Sequence, residues 1–397
     1  MRVNSYINYL LVAYYILWSA INSVIFIGDG MGRIGFILGL LSLASIIKSV
    51  GLNAFKEKSI LIWLLWVVYA IIGWLSFGIN VTGHEGEAEV PKLYFCMTKF
   101  ISPLLVMIVS IYEIVRNSKR FVLFSLILYV IYMLLGLRTI QFTDNLRQLS
   151  QLGNNLPLAC VTLIMIASFV DLHKWLSKKL ILIIVLLGLY CIIVAATRKA
   201  FVGALIIIAF WVIAKHDLLK ARKILLLALL LSIGYFVVVF VLEHTALGER
   251  FANTTDDGAE FNETNYAWLN FLGDRAGQYV TGWYLFLKNP IIGIGYSNFP
   301  VITNQHYPIH SEIMGHICEG GIIGLGLFVS FVASLFKKIK KMMKIISYKK
   351  HSLLFFGYLL SVLLIDLTAW TYDTVFFFVG YGLIIGSYMV SHNIKFK

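Results

Sequence analysis

The sequence predicts an all-α polytopic membrane protein, in which about twelve transmembrane helices carry one large extracytoplasmic loop. Hydrophobic residues make up 59% of the 397 residues and charged residues only 13%, against about 45–50% and about 25% in an ordinary soluble domain. At roughly 20 apolar residues per membrane-spanning helix, this content suffices for about eleven or twelve spans. The composition excludes a soluble enzyme.

Twelve apolar runs are long enough, or nearly long enough, to cross a bilayer, and charged or turn residues bound each of them. Several are short, so the pairs 178–196 with 199–214 and 352–367 with 373–391 could instead form re-entrant hairpins. The first run lacks a small-residue cleavage site and is followed by eleven more, which indicates a first span and not a cleaved signal peptide. The predicted spans are 6–27, 33–50, 59–79, 93–112, 120–137, 156–172, 178–196, 199–214, 222–242, 311–336, 352–367 and 373–391.

The net charge of +13 has a topological explanation. Of the 33 Lys and Arg residues, most fall in alternate loops, as the positive-inside rule requires of cytoplasmic loops. An even number of spans then puts both termini in the cytoplasm, together with most of the segment 337–350. Nucleic-acid binding is not needed to explain the basic excess. The basic loops lie near 48–58, 116–120, 174–179, 215–223 and 337–350.

The sequence predicts neither a metal site nor a cofactor. The acidic stretch 84–89 lacks a defined ligand geometry and is better explained as a solvated loop. The four cysteines lie in or beside apolar runs without metal or redox spacing, which predicts free thiols. They are Cys96, Cys160, Cys191 and Cys318.

One loop, 243–310 between spans nine and ten, is far longer than a connection requires, and such loops are usually functional. Its segment 273–288 carries aromatic residues at helical spacing, which predicts an amphipathic helix on the outer membrane surface that ends at Asn289-Pro290. Gly293-x-Gly295 follows without the third glycine of a dinucleotide fingerprint, so a tight turn is the better interpretation. No separate soluble domain is predicted, and residues 1–397 form a single membrane domain.

Polar residues cluster where the long loop enters span ten. His310 precedes a helix predicted to begin near Ser311, and helical spacing puts Glu312, His316 and Glu319 on roughly one face. The glycines that follow have no side chain, so a second backbone can approach the helix closely there. These are Gly320, Gly321, Gly324 and Gly326.

These motifs together resemble the O-antigen polymerase and O-antigen ligase superfamily, which are bacterial integral membrane glycosyltransferases. The resemblance rests on the order and spacing of TRKAFVG (197–203), NPIIGIGYSNF (289–299), a His-x-Glu step (310–312) and EGGIIGLGLF (319–328). Many members have His-Asn where this chain has His310-Ser311, followed here by Glu312. The chain is therefore more similar to the capsule and O-antigen polymerases than to the ligases.

The resemblance implies transfer of glycan from a polyprenyl diphosphate carrier to a sugar hydroxyl at the outer face of the bacterial inner membrane, without metal and with inversion. The expected substrate is a lipid-linked oligosaccharide repeat unit, and the expected partners are membrane lipids and the chain-length regulator and flippase of the same pathway. A ligase that hands polymer to lipid A core or another acceptor is the alternative in the same superfamily. A polysaccharide transporter or flippase is the alternative outside it.

Such a reaction needs cations for the diphosphate and a base for the hydroxyl proton. Arg198, at membrane depth between two apolar runs, is the first candidate for diphosphate binding; Arg275, at the start of the amphipathic helix, is the second. Arg138 and Arg147 could bind substrate or simply form local ion pairs.

The resemblance assigns His310 as the base or the residue that orients the acceptor. Glu312 could instead be the base or hold His310 or Arg198. His316 and Glu319, deeper in the helix, are further candidates for substrate binding. Asp366, in the last outer turn, could pair with an arginine or cap a helix.

Overall fold

The computed structural model describes residues 3–25, 32–80, 93–138, 155–216, 275–296, 298–303, 309–367 and 375–394. Every regular element within these ranges is a helix, so the all-α class is confirmed. The predicted span 222–242 and the first part of the long loop lie outside the described residues. The helices are α1 (Val3–Ile25), α2 (Gly32–Val50), α3 (Lys58–Asn80), α4 (Leu93–Arg138), α5 (Asn155–Leu172), α6 (Lys178–Val194), α7 (Arg198–His216), α8 (Arg275–Lys288), α9 (Phe299–Thr303), α10 (Glu312–Met343), α11 (Lys349–Asp366) and α12 (Val375–Ser391).

These helices overlap eleven of the twelve predicted spans, but only some pass a length and hydropathy test for crossing a membrane. In the described ranges four do: Phe100–Arg138, Asn155–Leu172, Arg198–His216 and Glu312–Met343. The segments Ile37–Asn53 and Lys58–Gly73, bent by 118°, would together make a fifth. Membrane helices are therefore present, and the count of twelve stays a prediction.

Helix α4 is two helices joined without a loop. Asn117 has non-helical angles (φ −156°, ψ 82°). Residues before and after Asn117 contact α12 in an order that one straight helix could not produce. Ser110 lies against Gly382, whereas the Tyr129 hydroxyl donates to the carbonyl of Phe376, six residues earlier on α12. The chain therefore reverses at Asn117, between the predicted spans 93–112 and 120–137.

The two halves of α4 lie at the centre of the bundle, where α1, α3, α5 and α12 pack against them. Trp63 of α3 marks the middle of the core, with its ring against Phe100, Phe331 and Phe378. Helix α10 packs between α3, α11 and α12 and also carries α8. Elements from distant parts of the sequence thus meet along α10.

Helix α8 lies where the sequence predicts a helix in the long loop, and it ends at Lys288, directly before Asn289-Pro290. Tyr279 packs inward in a small second cluster, whereas Trp283, Tyr284 and Leu287 are exposed. An apolar face that the protein leaves exposed is what a helix lying in a membrane interface needs.

Three cysteines are free thiols in the structure, as predicted: Cys160, Cys191 and Cys318. The Cys96 side chain lies outside what is described.

Candidate active site

The turn 290–295 and a break in α10 form one joint. Gly321 has φ 60° and ψ −161°, which removes the helical hydrogen bonds that its neighbours would make. The turn supplies new partners, as broken membrane helices require. Four hydrogen bonds join the segments: Ile294 N to Cys318 O (3.1 Å), Gly295 N to Glu319 O (2.9 Å), Ile322 N to Pro290 O (2.9 Å) and Ile323 N to Ile291 O (3.3 Å).

Glycine is required at this joint for space as well as for conformation. Gly293 and Gly295 have φ of 69° and 84°, which confirms the predicted tight turn. A side chain on Gly293 would collide with the backbone of Glu319, and one on Gly321 with the backbone of Ile291. The close approach predicted from the glycine run is therefore confirmed at Gly321.

Tyr69 of α3 contacts both segments of the joint, the turn 290–295 and α10. Its hydroxyl lies 2.7 Å from the Gly320 carbonyl and 3.0 Å from the Ile292 carbonyl. Ile292 lies in the turn, and Gly320 directly precedes the break at Gly321. Helix α3 thereby fixes the direction in which α10 leaves the break.

A buried polar chain runs inward from the head of α10. Glu312 Oε1 lies 2.8 Å from His316 Nε2, His316 Nδ1 lies 3.3 Å from the Tyr296 hydroxyl, and Trp66 Nε1 donates to that hydroxyl at 2.8 Å. The side chains of Glu312 and His316 are each only 1% exposed. The predicted face shared by Glu312 and His316 is confirmed, and both line the protein interior.

The residues at the two ends of this series of side chains set the direction of its hydrogen bonds. Trp66 can only donate, and Glu312 as a carboxylate can only accept. Burial raises the pKa of the Tyr296 hydroxyl well above its ordinary value of 10.0, so Tyr296 keeps its proton and can donate it to His316 Nδ1. His316 Nε2 then faces Glu312 Oε1 as a close polar contact, whose geometry is not that of a hydrogen bond.

Glu319 has a structural contact that the sequence did not predict. Its Oε1 accepts a hydrogen bond of 3.1 Å from the Phe299 backbone N–H, at the start of α9. The side chain is fully buried. Glu319 therefore ties α9 to α10.

His310 lies in the turn just before α10, whose N-cap is Ser311, and the predicted helix start is confirmed. Its N–H donates to Gln278 Oε1 (3.1 Å), and its carbonyl accepts from the Tyr279 hydroxyl (3.1 Å). The residue is half-buried. Helix α8 therefore holds the His310 backbone from both sides.

Arg198 begins α7 at the same end of the bundle. The chain turns into α7 through Ala196, whose φ is 47°, and Arg198 is half-buried. Gly203 of α7 packs against Ser361 and Ile365 of α11. The start of α7 thus lies beside the end of α11, where Asp366 is buried.

Tyr279 of α8 connects the turn that holds His310 with the end of α11. Its hydroxyl lies 3.1 Å from the His310 carbonyl and 3.2 Å from the carbonyl of Leu367, next to Asp366. The end of α11 therefore lies beside both His310 and the start of α7. The structure brings Arg198, His310 and Glu312 to one end of the bundle.

The structure describes the remaining cationic candidates only in part. Arg138 is exposed at the end of α4, and Arg147 lies outside the described residues. Arg275 begins α8, but its side chain is not among those described.

Sequence reasoning missed Trp66, Tyr69 and Tyr296. Tyr296 stands inside NPIIGIGYSNF, where a hydroxyl directly after a glycine turn was the available signal. Trp66 and Tyr69 belong to an apolar run, and nothing in that run separates a hydrogen-bonding aromatic residue from a lipid-facing one.

Comparison with known families places part of the chain in a described family model. Residues 183–329 match the family model described as O-Antigen ligase. The matched segment covers a little over a third of the chain and contains α7, α8, the joint and the head of α10. No curated protein sequence matches the chain.

Proposed function

We propose, from the premise that the chain belongs to the O-antigen polymerase and ligase superfamily through residues 183–329, that it polymerises lipid-linked oligosaccharide repeat units. The family implies a membrane glycosyl-transfer enzyme. The single observation that carries the proposal is that this match contains the Arg198, His310 and Glu312 positions that the fold gathers at one end.

In the proposed reaction the acceptor hydroxyl attacks the anomeric carbon of the carrier-linked sugar. The bond from that carbon to the diphosphate oxygen breaks, and the carrier leaves as polyprenyl diphosphate. The hydroxyl proton passes to a base on the protein. Attack from the face opposite the leaving group inverts the configuration.

His310 is the proposed base. A base must touch the substrate, and His310 is half-buried in a turn, whereas Glu312 is buried and 2.8 Å from His316. Glu312 is then a positioning residue that fixes the first turn of α10, held in place by His316, Tyr296 and Trp66.

Arg198 is the proposed diphosphate ligand. Its guanidinium can donate two parallel hydrogen bonds to phosphate oxygens and stabilise the charge that develops on the leaving group. Its half-buried position at the start of α7 supports this role. Arg275 is proposed as the second cation from its sequence position alone.

A ligase that transfers finished polymer to lipid A core or another acceptor is the second candidate. The description of the matching family as O-Antigen ligase favours it. The His310-Ser311-Glu312 step favours the polymerase. A transporter or flippase has no support from the match.

We place the enzyme in the bacterial inner membrane with both termini in the cytoplasm. The contacts of the basic loops support this topology, since Lys338 pairs with Glu57 at 2.6 Å and Lys215 with Asp171 at 2.7 Å. These residues come from segments that charge alone assigned to one side. A chain-length regulator and a flippase would act beside it.

Deletion of the gene separates the candidate functions. A polymerase deletion leaves single repeat units on the lipid carrier, a ligase deletion leaves full-length polymer unattached, and a flippase deletion traps units on the cytoplasmic side. We expect single units, and restoration of polymer by the wild-type gene but not by a His310→Ala variant. Unattached long polymer would replace the polymerase proposal with the ligase.

A further inference from the structure

A second polar site lies at the opposite end of α10 from His310. A cavity of about 560 Å³ opens between α3, α10 and α12, within the range of roughly 300–1,000 Å³ typical of small-molecule sites. Four lysines line it: Lys58, Lys337, Lys338 and Lys341. The proposed transfer reaction uses none of these residues.

The one acidic residue in the lining does not balance this charge. Glu57 is engaged by Lys338 at 2.6 Å and by the backbone N–H groups of Ser59 (2.8 Å) and Ile60 (3.2 Å). Lys338 is itself buried and also donates to Ser59 Oγ at 2.8 Å. The charges of Glu57 and Lys338 therefore cancel, and Glu57 does not offset the other lysines.

Three positive charges are left around the cavity, those of Lys58, Lys337 and Lys341. Like charges gathered at a low-dielectric surface repel one another and attract an anion. Tyr388 adds a neutral donor, because its oxygen accepts from Lys341 Nζ at 3.4 Å while its own hydrogen remains able to donate. The lining is therefore suited to phosphate oxygens.

The cavity also adjoins an apolar surface. Ile62 and Ala333 belong to its lining, and Leu65 and Val329, about one turn further from the lysines, are each more than half exposed. An acyl chain would cover such a surface, whereas a free phosphate would leave it exposed.

We propose that this cavity binds the phosphate headgroup of an anionic phospholipid, with an acyl chain lying along the groove between α3 and α10. A small phosphorylated solute shares the headgroup chemistry but does not use the apolar surface. The site lies at the end of α10 opposite to His310, and this proposal does not rest on the proposed function.

The test measures lipid binding to the purified full-length protein by native mass spectrometry, with phosphatidylglycerol against phosphatidylcholine. We expect tighter binding of phosphatidylglycerol, and about a fivefold loss of that affinity in Lys58→Gln and in Lys341→Gln, the size expected for one lysine near a membrane surface. Lys340→Gln is the matched control, because Lys340 is exposed on the same helix but does not line the cavity. It should bind as the wild type does.

Three results would overturn the proposal. Equal binding of the two lipids would remove the anion site, and an equal loss in Lys340→Gln would reduce it to general surface charge. Competition by inorganic phosphate as effective as that by short-chain phosphatidylglycerol would assign the site to a small solute instead. Thermal unfolding of each variant without added lipid checks that the fold is intact.

Discussion

His310 and Glu312 stand two positions apart but in different surroundings. His310 lies in an irregular turn whose backbone is held by Gln278 and Tyr279. Glu312 begins a helix and points into the interior toward His316. In the proposed function, His310 therefore acts on the substrate, whereas Glu312 positions the first turn of α10.

Replacement of His310 by alanine is expected to lower the transfer rate by about 10²–10⁴-fold, the usual contribution of a general base. Carrier binding should persist, because the arginines remain. Glu312→Gln keeps an acceptor for His316 and should only weaken the enzyme. The measurement is polymer formation from lipid-linked units in membranes, with carrier binding assayed separately. Near-normal polymer from His310→Ala would end its assignment as the base.

Replacement of Arg198 by lysine keeps the charge but loses the planar pair of donors. A hydrogen bond to a charged group contributes about 1.5–3 kcal/mol, so transfer should fall roughly 10- to 100-fold while the protein still inserts. Lys199→Arg is the control at the adjacent position and should stay near the wild type. If Arg198→Lys makes polymer of normal length, the fork geometry has no part in the reaction.

At the residue scale, sequence alone predicted which positions carry polar groups but not which way they face. Periodicity put Glu312, His316 and Glu319 on one face, and they are all buried. Whether that face meets substrate or protein depends on Trp66 and Tyr296, which come from other elements. Local spacing contains no information about those distant partners.

At the element scale, the joint between the turn 290–295 and α10 is the most constrained feature. Gly321 occupies a backbone region that is essentially confined to glycine. The sequence predicted a turn and a close approach but not a broken helix, because a glycine run is equally compatible with a continuous one. The break depends on hydrogen bonds to a turn that lies 24 to 32 positions away in sequence, and local pattern carries no information about those partners.

Gly321→Ala is expected to destabilise the protein by about 1–3 kcal/mol from backbone strain alone, with added cost from the collision with the Ile291 carbonyl. Activity should fall with it, because the turn and the head of α10 lose their alignment. Thermal unfolding in detergent measures the first effect and polymer synthesis the second.

Gly326→Ala is the matched control for that experiment. A side chain at Gly326 meets no heavy atom within 4 Å, and alanine favours a helix more than glycine does. Its stability should equal or exceed that of the wild type. Equal destabilisation in both variants would show that glycine content, and not the joint, is what the helix needs.

At the scale of the whole molecule, charge and hydropathy predicted the all-helical class and most helix positions. The number of crossings is harder to predict, because several helices are near the minimum length. Helix α12 has 17 residues, whereas a span needs roughly 20. Tilt and neighbouring helices decide such cases, and a single sequence specifies neither.

The proposed topology puts loop 243–310 outside the cell membrane and most of Lys337–Lys350 inside. Single cysteines at Thr255 and at Ser347, in a background without the native cysteines, are expected to differ in labelling of intact cells by an impermeant reagent. Only the cysteine at 255 should react. Labelling at 347 alone would invert the topology and move the candidate site to the cytoplasm.

The loopless reversal at Asn117 also bears on how the chain enters the membrane during synthesis. Arg116, Lys119 and Arg120 flank the reversal, and charges of this kind resist translocation. No linker separates the two halves of α4, so the first half cannot leave the insertion machinery long before the second follows. We therefore expect the halves to integrate together as one hairpin, and a flexible linker placed after Asn117 to turn one cooperative insertion step into two independent ones.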